Sequence, residues 1–472
     1  MSCPTFKVSV GIPVFGLGFT KKNQLILGGG GGASRSGVKN KLVSYKIDTR
    51  RKDLEEDAAF DFEAAEDAPM CLDVHPFSPY VVAGVNGTEE DMKIGTNKNC
   101  RTFKILEDKL EIEKAVNTLE SRKAEDYQKV VRFNESGTLV ATGTTDGRVQ
   151  VFKYPEFESI SKAITVSKDD EVLDVDINLE NEKLTCVLRD GLKLINLRGK
   201  NVGQVVQTIS SSTIIKKSTA HFRAFRYGRG FTKDFGFAVV NGIAKPGAYI
   251  VKYDAYSLDQ IKLVKVGNKP ITAFAISQDG AILAFASADL SITLLDALSF
   301  RTLTKVKDAH GFSITCIAVS PDRRLLASAS ADNTCRIVSL PVQFGTGVSI
   351  NPLHTLLLAC VVAAILVWIL NFIDLQPFYN LDDGKDIIEV SDATAKAIMP
   401  QTTSSVYKPS SSIDSIIESI ATEAPVIQVV SQEPVVVIEK EEKASIKVEK
   451  PNVIHKSKTI HAETSNNNRD EL

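Results

Sequence analysis

Over roughly the first 340 residues, apolar and polar positions alternate in short runs, and Gly, Asp, Asn and Pro punctuate them. A period of two marks half-buried strands, and the punctuation marks the turns between them. Three segments align without gaps over 21 residues: RFNESGTLVATGTTDGRVQVF from Arg132, AISQDGAILAFASADLSITLL from Ala275 and AVSPDRRLLASASADNTCRIV from Ala318. Each reads as a turn, an apolar strand of small residues, a second turn holding an aspartate, and an alternating strand. Asp146, Asp289 and Asp332 share one column, and the last two stand 43 residues apart, the spacing of four-stranded propeller blades. Weaker copies begin at Val14, Cys71, Val172 and Phe222. Together these predict an all-β, seven-bladed, WD-repeat-like propeller over residues 1–345.

The pattern also predicts how the ring closes. After CRIVSL, the third strand of the last repeat, no fourth strand follows. The segment FKVSV, residues 6–10, precedes the first full repeat and alternates. It is expected to supply the missing outer strand and leave no exposed blade edge.

A different pattern follows. Between Arg336 and Asp374 there is no Asp, Glu, Lys or Arg, and residues 356–370 are unbroken apolar. With flanks, residues 353–373 make 21 positions, and about 20 are needed to cross a bilayer. Trp368 and Phe372 sit near one end, where interfacial aromatics collect. The expectation is one transmembrane helix, residues 353–373, after a short linker, residues 346–352. Lys and Arg are too sparse on both flanks to orient it. The chain ends Arg469-Asp470-Glu471-Leu472, similar to the KDEL signals read in the endoplasmic reticulum lumen. That predicts a lumenal C-terminus, a cytosolic propeller and a retrieval receptor as a partner. The first residues lack a basic start and a continuous apolar core, so no signal peptide is expected. Residues 374–472 are rich in Ser, Thr, Glu, Lys and Val and read as a low-complexity tail.

Composition narrows the function classes. The net charge of −2 gives no basic excess, so no nucleic-acid partner is expected. Seven scattered cysteines without a CxxC pair argue against a disulfide framework or a zinc site. The six histidines form no paired-ligand spacing, and no nucleophile–base constellation is legible. Two Asn-x-Ser/Thr triplets, at Asn86 and Asn134, would stay unmodified on a cytosolic domain.

The stretch LILGGGGGASRSGVKNKL, residues 25–42, stands out. Gly28, Gly30 and Ala33 match GxGxxG/A, the spacing of a phosphate cradle. That motif needs a helix after the glycines, so that amides and helix dipole face phosphate. Here the repeat alignment puts Gly32 in the aspartate column and a strand follows, with eight residues inserted. Gly28, Gly29, Gly30, Gly31 and Gly32 therefore open an enlarged hairpin between the second and third strands of the first blade. Such a hairpin is either a flexible connector or a loop whose bare backbone can wrap a cation or approach a partner closely.

The run of glycines followed by Gly37-Val38-Lys39-Asn40 resembles the K loop of the Sec-twelve family of guanine nucleotide exchange factors of the endoplasmic reticulum. The resemblance extends to the layout of propeller, late anchor and lumenal tail. It implies an exchange factor, not an enzyme with covalent chemistry, that releases GDP from a Sar-type small GTPase and so starts COPII coat assembly. It implies a potassium ion held by main-chain carbonyls of the loop, with the particular carbonyls left open. Gly37, Val38, Lys39 and Asn40 are the implied contact residues, and Asn40 is the key one. Carrying both donor and acceptor, Asn40 is suited to replace contacts the GTPase makes to phosphate or Mg²⁺. Lys39 and Lys41 also fit ordinary solvent-facing positions. His310 in DAHGFSITC fits a partner contact or a histidine bonded within its own blade. The acidic residues Glu55, Glu56, Asp57, Asp61, Glu63 and Glu66 read as a solvated connector between blades one and two. A scaffold that binds the same GTPase or coat components without exchange remains the alternative.

Overall fold

The computed structural model describes residues 3–33, 37–215, 219–243, 246–344 and 352–372. The first stretches fold into seven antiparallel sheets, six of four strands and one with a short fifth. Blade one consists of β2 (Val14–Phe19), β3 (Leu25–Gly29), β4 (Lys41–Asp48) and β5 (Asp53–Asp61). The weaker repeats are blades too: that from Cys71 opens with Cys71–Val74 and Tyr80–Gly84, and that from Val172 with Asp174–Ile177 and Lys183–Leu188.

The expected closing strand is present as β1 (Thr5–Ser9). It pairs antiparallel with Thr334–Ser339, from Thr5 opposite Val338 to Ser9 opposite Thr334. Backbone bonds extend the seam at both ends: the Val10 amide donates to Asn333 O at 2.8 Å and the Ser339 amide to Pro4 O at 2.9 Å. Phe6 and Val8 turn inward against the core shared by blades one and seven.

There is no single central core. Seven apolar clusters lie between the sheets. One joins blades one and two through Ile26, Leu42, Leu72, Val81 and Phe103. Another joins blades five and six through Phe237, Ile250, Phe274 and Phe285. Each sheet buries both faces against its neighbours, so its inner strands read as nearly continuous apolar runs.

Strand direction alternates within a blade, which defines two faces. The upper face carries the connections between blades and the hairpins joining second to third strands. The lower face carries the remaining hairpins. The glycine-rich loop is therefore on the upper face. The third strand of the last blade runs downward, so the chain leaves the ring on the lower face. There the Leu340 amide donates to Arg324 O at 2.7 Å, and Arg323 donates to Val342 O at 2.7 Å.

A separate helix, α2 (Pro352–Phe372), has 21 residues. It coincides with the span expected at 353–373, except that residue 373 lies outside the described residues. Its described side chains, at 356–357 and 359–371, are exposed. Among the described residues no helix is long and apolar enough to cross a membrane. The tail from residue 374, with Arg469 to Leu472, also lies outside the described residues.

The acidic run is corrected by the fold. Glu55, Glu56, Asp57 and Asp61 belong to β5, the outer strand of blade one, and only Glu63 and Glu66 lie in the connector. An outer strand has one solvated edge, where carboxylates meet cations: Asp57 pairs with Lys46, and Glu56 sits 3.8 Å from Lys41. Asn86 and Asn134, the two glycosylation-type asparagines, are buried and hydrogen-bonded.

His310 lies inside blade seven with 3% of its surface exposed. Its Nδ1 is 2.8 Å from Thr334 Oγ1, and its Nε2 is 2.8 Å from Ser328 Oγ. The Thr334 hydroxyl donates to Asp332, so Nδ1–H donates to Thr334 and the Ser328 hydroxyl donates to Nε2. One neutral tautomer completes the chain, and no ring nitrogen is left for a partner. Asp332 also receives the Gly311 amide at 2.6 Å, tying the upper connector to the hairpin. Burial pushes the His310 imidazole down to about 4. The unfolded chain takes up this proton near pH 6.5, whereas the native fold resists until about pH 4. Stability from this group is complete above about 6.5 and drains as pH falls toward 4. Thermal unfolding should therefore begin at lower temperature as pH drops through that window. His310→Gln should unfold earlier at neutral pH yet show a shallower pH dependence; an unchanged slope would remove His310 from the cause.

Candidate functional site

The loop is built from a strand that runs out of side chains. Gly28 and Gly29 are not loop residues: they end β3, buried, opposite Leu42 and Lys41. A Cβ on Gly29 would lie 1.9 Å from Pro13 O, and one on Gly30 would lie 2.3 Å from Asn40 Oδ1. The Gly30 amide donates to Pro13 O at 2.9 Å. Glycine is required here because two other backbone segments pass within contact of this one. The base of the loop is packed, and the floppy-hairpin reading fails for it. Gly32 and Gly37 take left-handed φ of +76° and +77° and turn the chain out and back. Residues 34–36, at the tip, lie outside the described residues.

The returning tetrad alternates. Val38 packs against the core between blades one and seven. Lys39 points outward and pairs with Asp61 at 2.7 Å, which holds its ammonium above the ordinary lysine range. Asn40 turns inward, 4% exposed. Its Oδ1 accepts the Gly32 amide at 2.9 Å, and its Nδ2 donates to Gly32 O at 3.0 Å and Glu66 O at 2.8 Å. Its own carbonyl accepts the Phe62 amide at 2.9 Å. The side-chain amide thus mimics a strand partner for Gly32 and fastens the loop to the connector behind it. This differs from the expectation of an amide available to a partner: both donors and the acceptor are engaged within the chain.

The support continues past the loop. Glu66 pairs with Arg101 of the next blade at 2.7 Å, with 16% and 10% of the side chains exposed. Arg101 lies over the Phe62 ring and donates to Lys98 O. The Asp67 amide donates to Asn86 O at 3.0 Å, and Asn86 Nδ2 donates to Asp126 O at 2.9 Å. Blade two carries its own insertion at the matching hairpin, with a short capped helix, α1 (Glu89–Ile94). Glu66, Asp67, Asn86 and Arg101 were not predicted as site residues. No local motif marks them, because each meets the loop from a different turn of the ring.

Three oxygens lie beside the glycine turn. Lys39 O and Asn40 Oδ1 lie where a Gly30 Cβ would point, and Asp67 Oδ1 lies 3.2 Å from the position of a Gly32 Cβ. Carbonyl and carboxylate oxygens are the donors that hard cations take. Among the described residues no cluster of His, Cys, Asp and Glu could hold a metal ion. The oxygens present are of the kind that hard cations take. The phosphate-cradle spacing has no helix behind it, since β4 follows directly.

The WD domain, G-beta repeat family matches residues 301–339. The chain is 12% identical to Raptor of Chaetomium thermophilum, with a TM-score of 0.55 over 72% of this chain and 29% of that one, a likeness of fold alone. It is 23% identical over 389 residues to the guanine nucleotide-exchange factor SEC12 of Candida glabrata, covering 80% of this chain and 81% of the relative. It is 26% identical over 198 residues to the mouse SEC12 exchange factor, covering 40% of this chain and 46% of the relative. The likeness to the Candida glabrata protein runs across about four-fifths of both chains, well beyond the single WD repeat at residues 301–339, so the chain is similar to SEC12-like proteins, which are named guanine nucleotide-exchange factors.

Proposed function

We propose that the chain is an exchange factor for a Sar-type small GTPase at the endoplasmic reticulum, and that its activity starts COPII coat assembly. The observation that carries this reading is the braced loop of residues 30–40 on the upper face, joined to the family's exchange role. An exchange factor makes no covalent bond. It binds the nucleotide-free GTPase better than the loaded form, and that difference in affinity displaces GDP. A loop that competes with nucleotide must keep its shape while the partner's site reorganises. Asn40 provides this as a positioning residue, and the loop it braces, flanked by exposed Ala33 and Gly37, provides the contact. Potassium, when bound, neutralises the carbonyl dipoles that the glycine turn brings together. Lys39 O, Asn40 Oδ1 and Asp67 are the oxygens nearest to hand.

α2 is the proposed single membrane anchor, with the propeller cytosolic and the tail lumenal. This reading rests on the sequence: residues 353–373 carry no Asp, Glu, Lys or Arg, and 21 helical residues at about 1.5 Å each would reach about 31 Å, whereas the side chains described in α2 cover only part of that length.

Asn40→Ala leaves the Gly32 amide and two carbonyls without their partner, and a buried unpaired group costs about 1–3 kcal/mol. Exchange on the purified GTPase should fall at least about tenfold, the equivalent of about 1.4 kcal/mol in the barrier, while the ring stays folded. Gly32→Ala should also slow exchange with Asn40 intact, because its φ of +76° is strained for alanine. A wild-type propeller that fails to accelerate GDP release would leave a scaffold as the function. Replacing K⁺ by Na⁺ should slow exchange several-fold; equal rates in both salts would exclude an ion-organised loop. Protease added to sealed microsomes should digest the propeller and spare the tail, and a protected propeller would reverse the topology.

A further inference from the structure

The lower face, opposite the loop, is polarised in charge, and the positive sector lies where the chain departs. The hairpin of residues 20–24 presents Lys21 and Lys22, and that of residues 49–52 presents Arg50, Arg51 and Lys52, all exposed. Blade seven adds exposed Arg324. Blades one and seven touch at this face: Asn23 Nδ2 donates to Asp322 Oδ2 at 2.8 Å. Among the described residues Arg51 is the one of the six cations with a carboxylate within 4 Å, Asp48 at 3.6 Å; Asp48 also attracts Arg50 and spends its Oδ1 on the Arg50 and Arg51 amides. The lower hairpins of blade three carry Glu135 and Glu156, and those of blade four carry Glu180 and Glu182 balanced by Arg198 and Lys200.

Beside the cations lies a groove of about 450 Å³ between blades one and two, lined by Lys21, Lys22, Phe77, Pro79, Lys104 and Leu106, with Glu107 as its carboxylate. Phe77 is 51% exposed, and Lys21 Nζ stands 5.5 Å from its ring centre. An aromatic among lysines, beside a shallow apolar groove, has the chemistry of the boundary between headgroups and acyl chains.

The position of the exit says what covers this sector. Arg323 holds Val342 O at 2.7 Å within it. Seven residues, 345–351, separate the last described residue of the ring from α2. At a full extension of about 3.3–3.6 Å per residue they span at most about 25 Å. Resting on the reading of α2 as an anchor, we infer that the Lys21–Lys22 and Arg50–Lys52 hairpins dock the propeller on a bilayer surface carrying anionic headgroups. A tether of at most about 25 Å keeps these charges near the membrane but exceeds the Debye length of about 8 Å, so they feel its surface potential only when the lower face settles against the headgroups. Docking turns the lower face to the lipid and presents the loop of residues 30–40 away from it, toward the cytosol. The exchange site then stays open to a soluble GTPase.

The ring contains all seven of its cores and its own closing strand, so residues 1–344 can be tested without the anchor. Sedimentation with phosphatidylcholine vesicles, with and without about one-third phosphatidylserine, reads the interaction directly. The domain should bind only the anionic vesicles and detach as salt is raised. The combined variant Lys21→Glu, Lys22→Glu, Arg50→Glu and Arg51→Glu should lose at least about tenfold in partitioning, with unchanged melting and unchanged exchange in solution. Equal binding to neutral and anionic vesicles, or a charge-reversed domain that binds as the wild type does, overturns the inference. Binding to an acidic peptide without binding to vesicles also overturns it. Carbonate extraction of the full chain tests the anchor separately. Release of the full chain with intact vesicle binding by the ring would remove the anchor and keep the surface.

Discussion

Everything in this fold hangs on the pairing of β1 with the third strand of the last blade. The hydrophobic clusters lie between sheets, so no blade is stable by its own packing, and each needs a neighbour on both sides. A linear row would leave two sheets with an open face and two strand edges for other chains to pair with. Five residue pairs from Thr5–Val338 to Ser9–Thr334 remove both exposures at once. The same closure fixes where function can sit. Because β1 belongs to blade seven, the chain enters blade one at the seam, and Pro13 O lies ready to receive the Gly30 amide. Because the last blade is finished by the N-terminus, the chain leaves after a third strand, on the face opposite the loop.

The repeat frame was legible because it is written locally. A turn, an apolar strand and an aspartate at a fixed offset can be aligned within one blade, and three clear copies made the four weaker ones recognisable. The hairpin carrying the glycines followed from that frame, as did its strand-to-strand connection. What was not legible are contacts made across the ring. Asn40 meets Glu66 across 26 residues, and Glu66 meets Arg101 on the next blade. The acidic residues were misassigned for a related reason. An outer strand with one solvated edge tolerates charge as a connector does, and composition alone does not separate the two. Glycine was misread in the opposite direction: the run at the end of β3 signals close backbone approach, not freedom.

The two asparagine and histidine positions that attracted attention from sequence turn out to share a design. His310 spends both ring nitrogens within blade seven, and Asn40 spends both donors within blade one. Each fastens an upper-face connection to the sheet beneath it. A polar side chain buried with every group satisfied specifies one arrangement strongly, since any other leaves orphaned donors. The upper face is held rigid by such devices up to the base of the loop at Gly32.

That distribution of rigidity bears on how an exchange factor works without chemistry of its own. Its free energy comes from binding the empty GTPase better than the loaded one, and any flexibility lost on binding subtracts from that difference. A loop whose base is already packed against Pro13, Val38 and the blade-two connector has little left to lose. The closed ring, needed first for stability, thus also supplies the preorganised support that the proposed exchange reading asks of the loop's base.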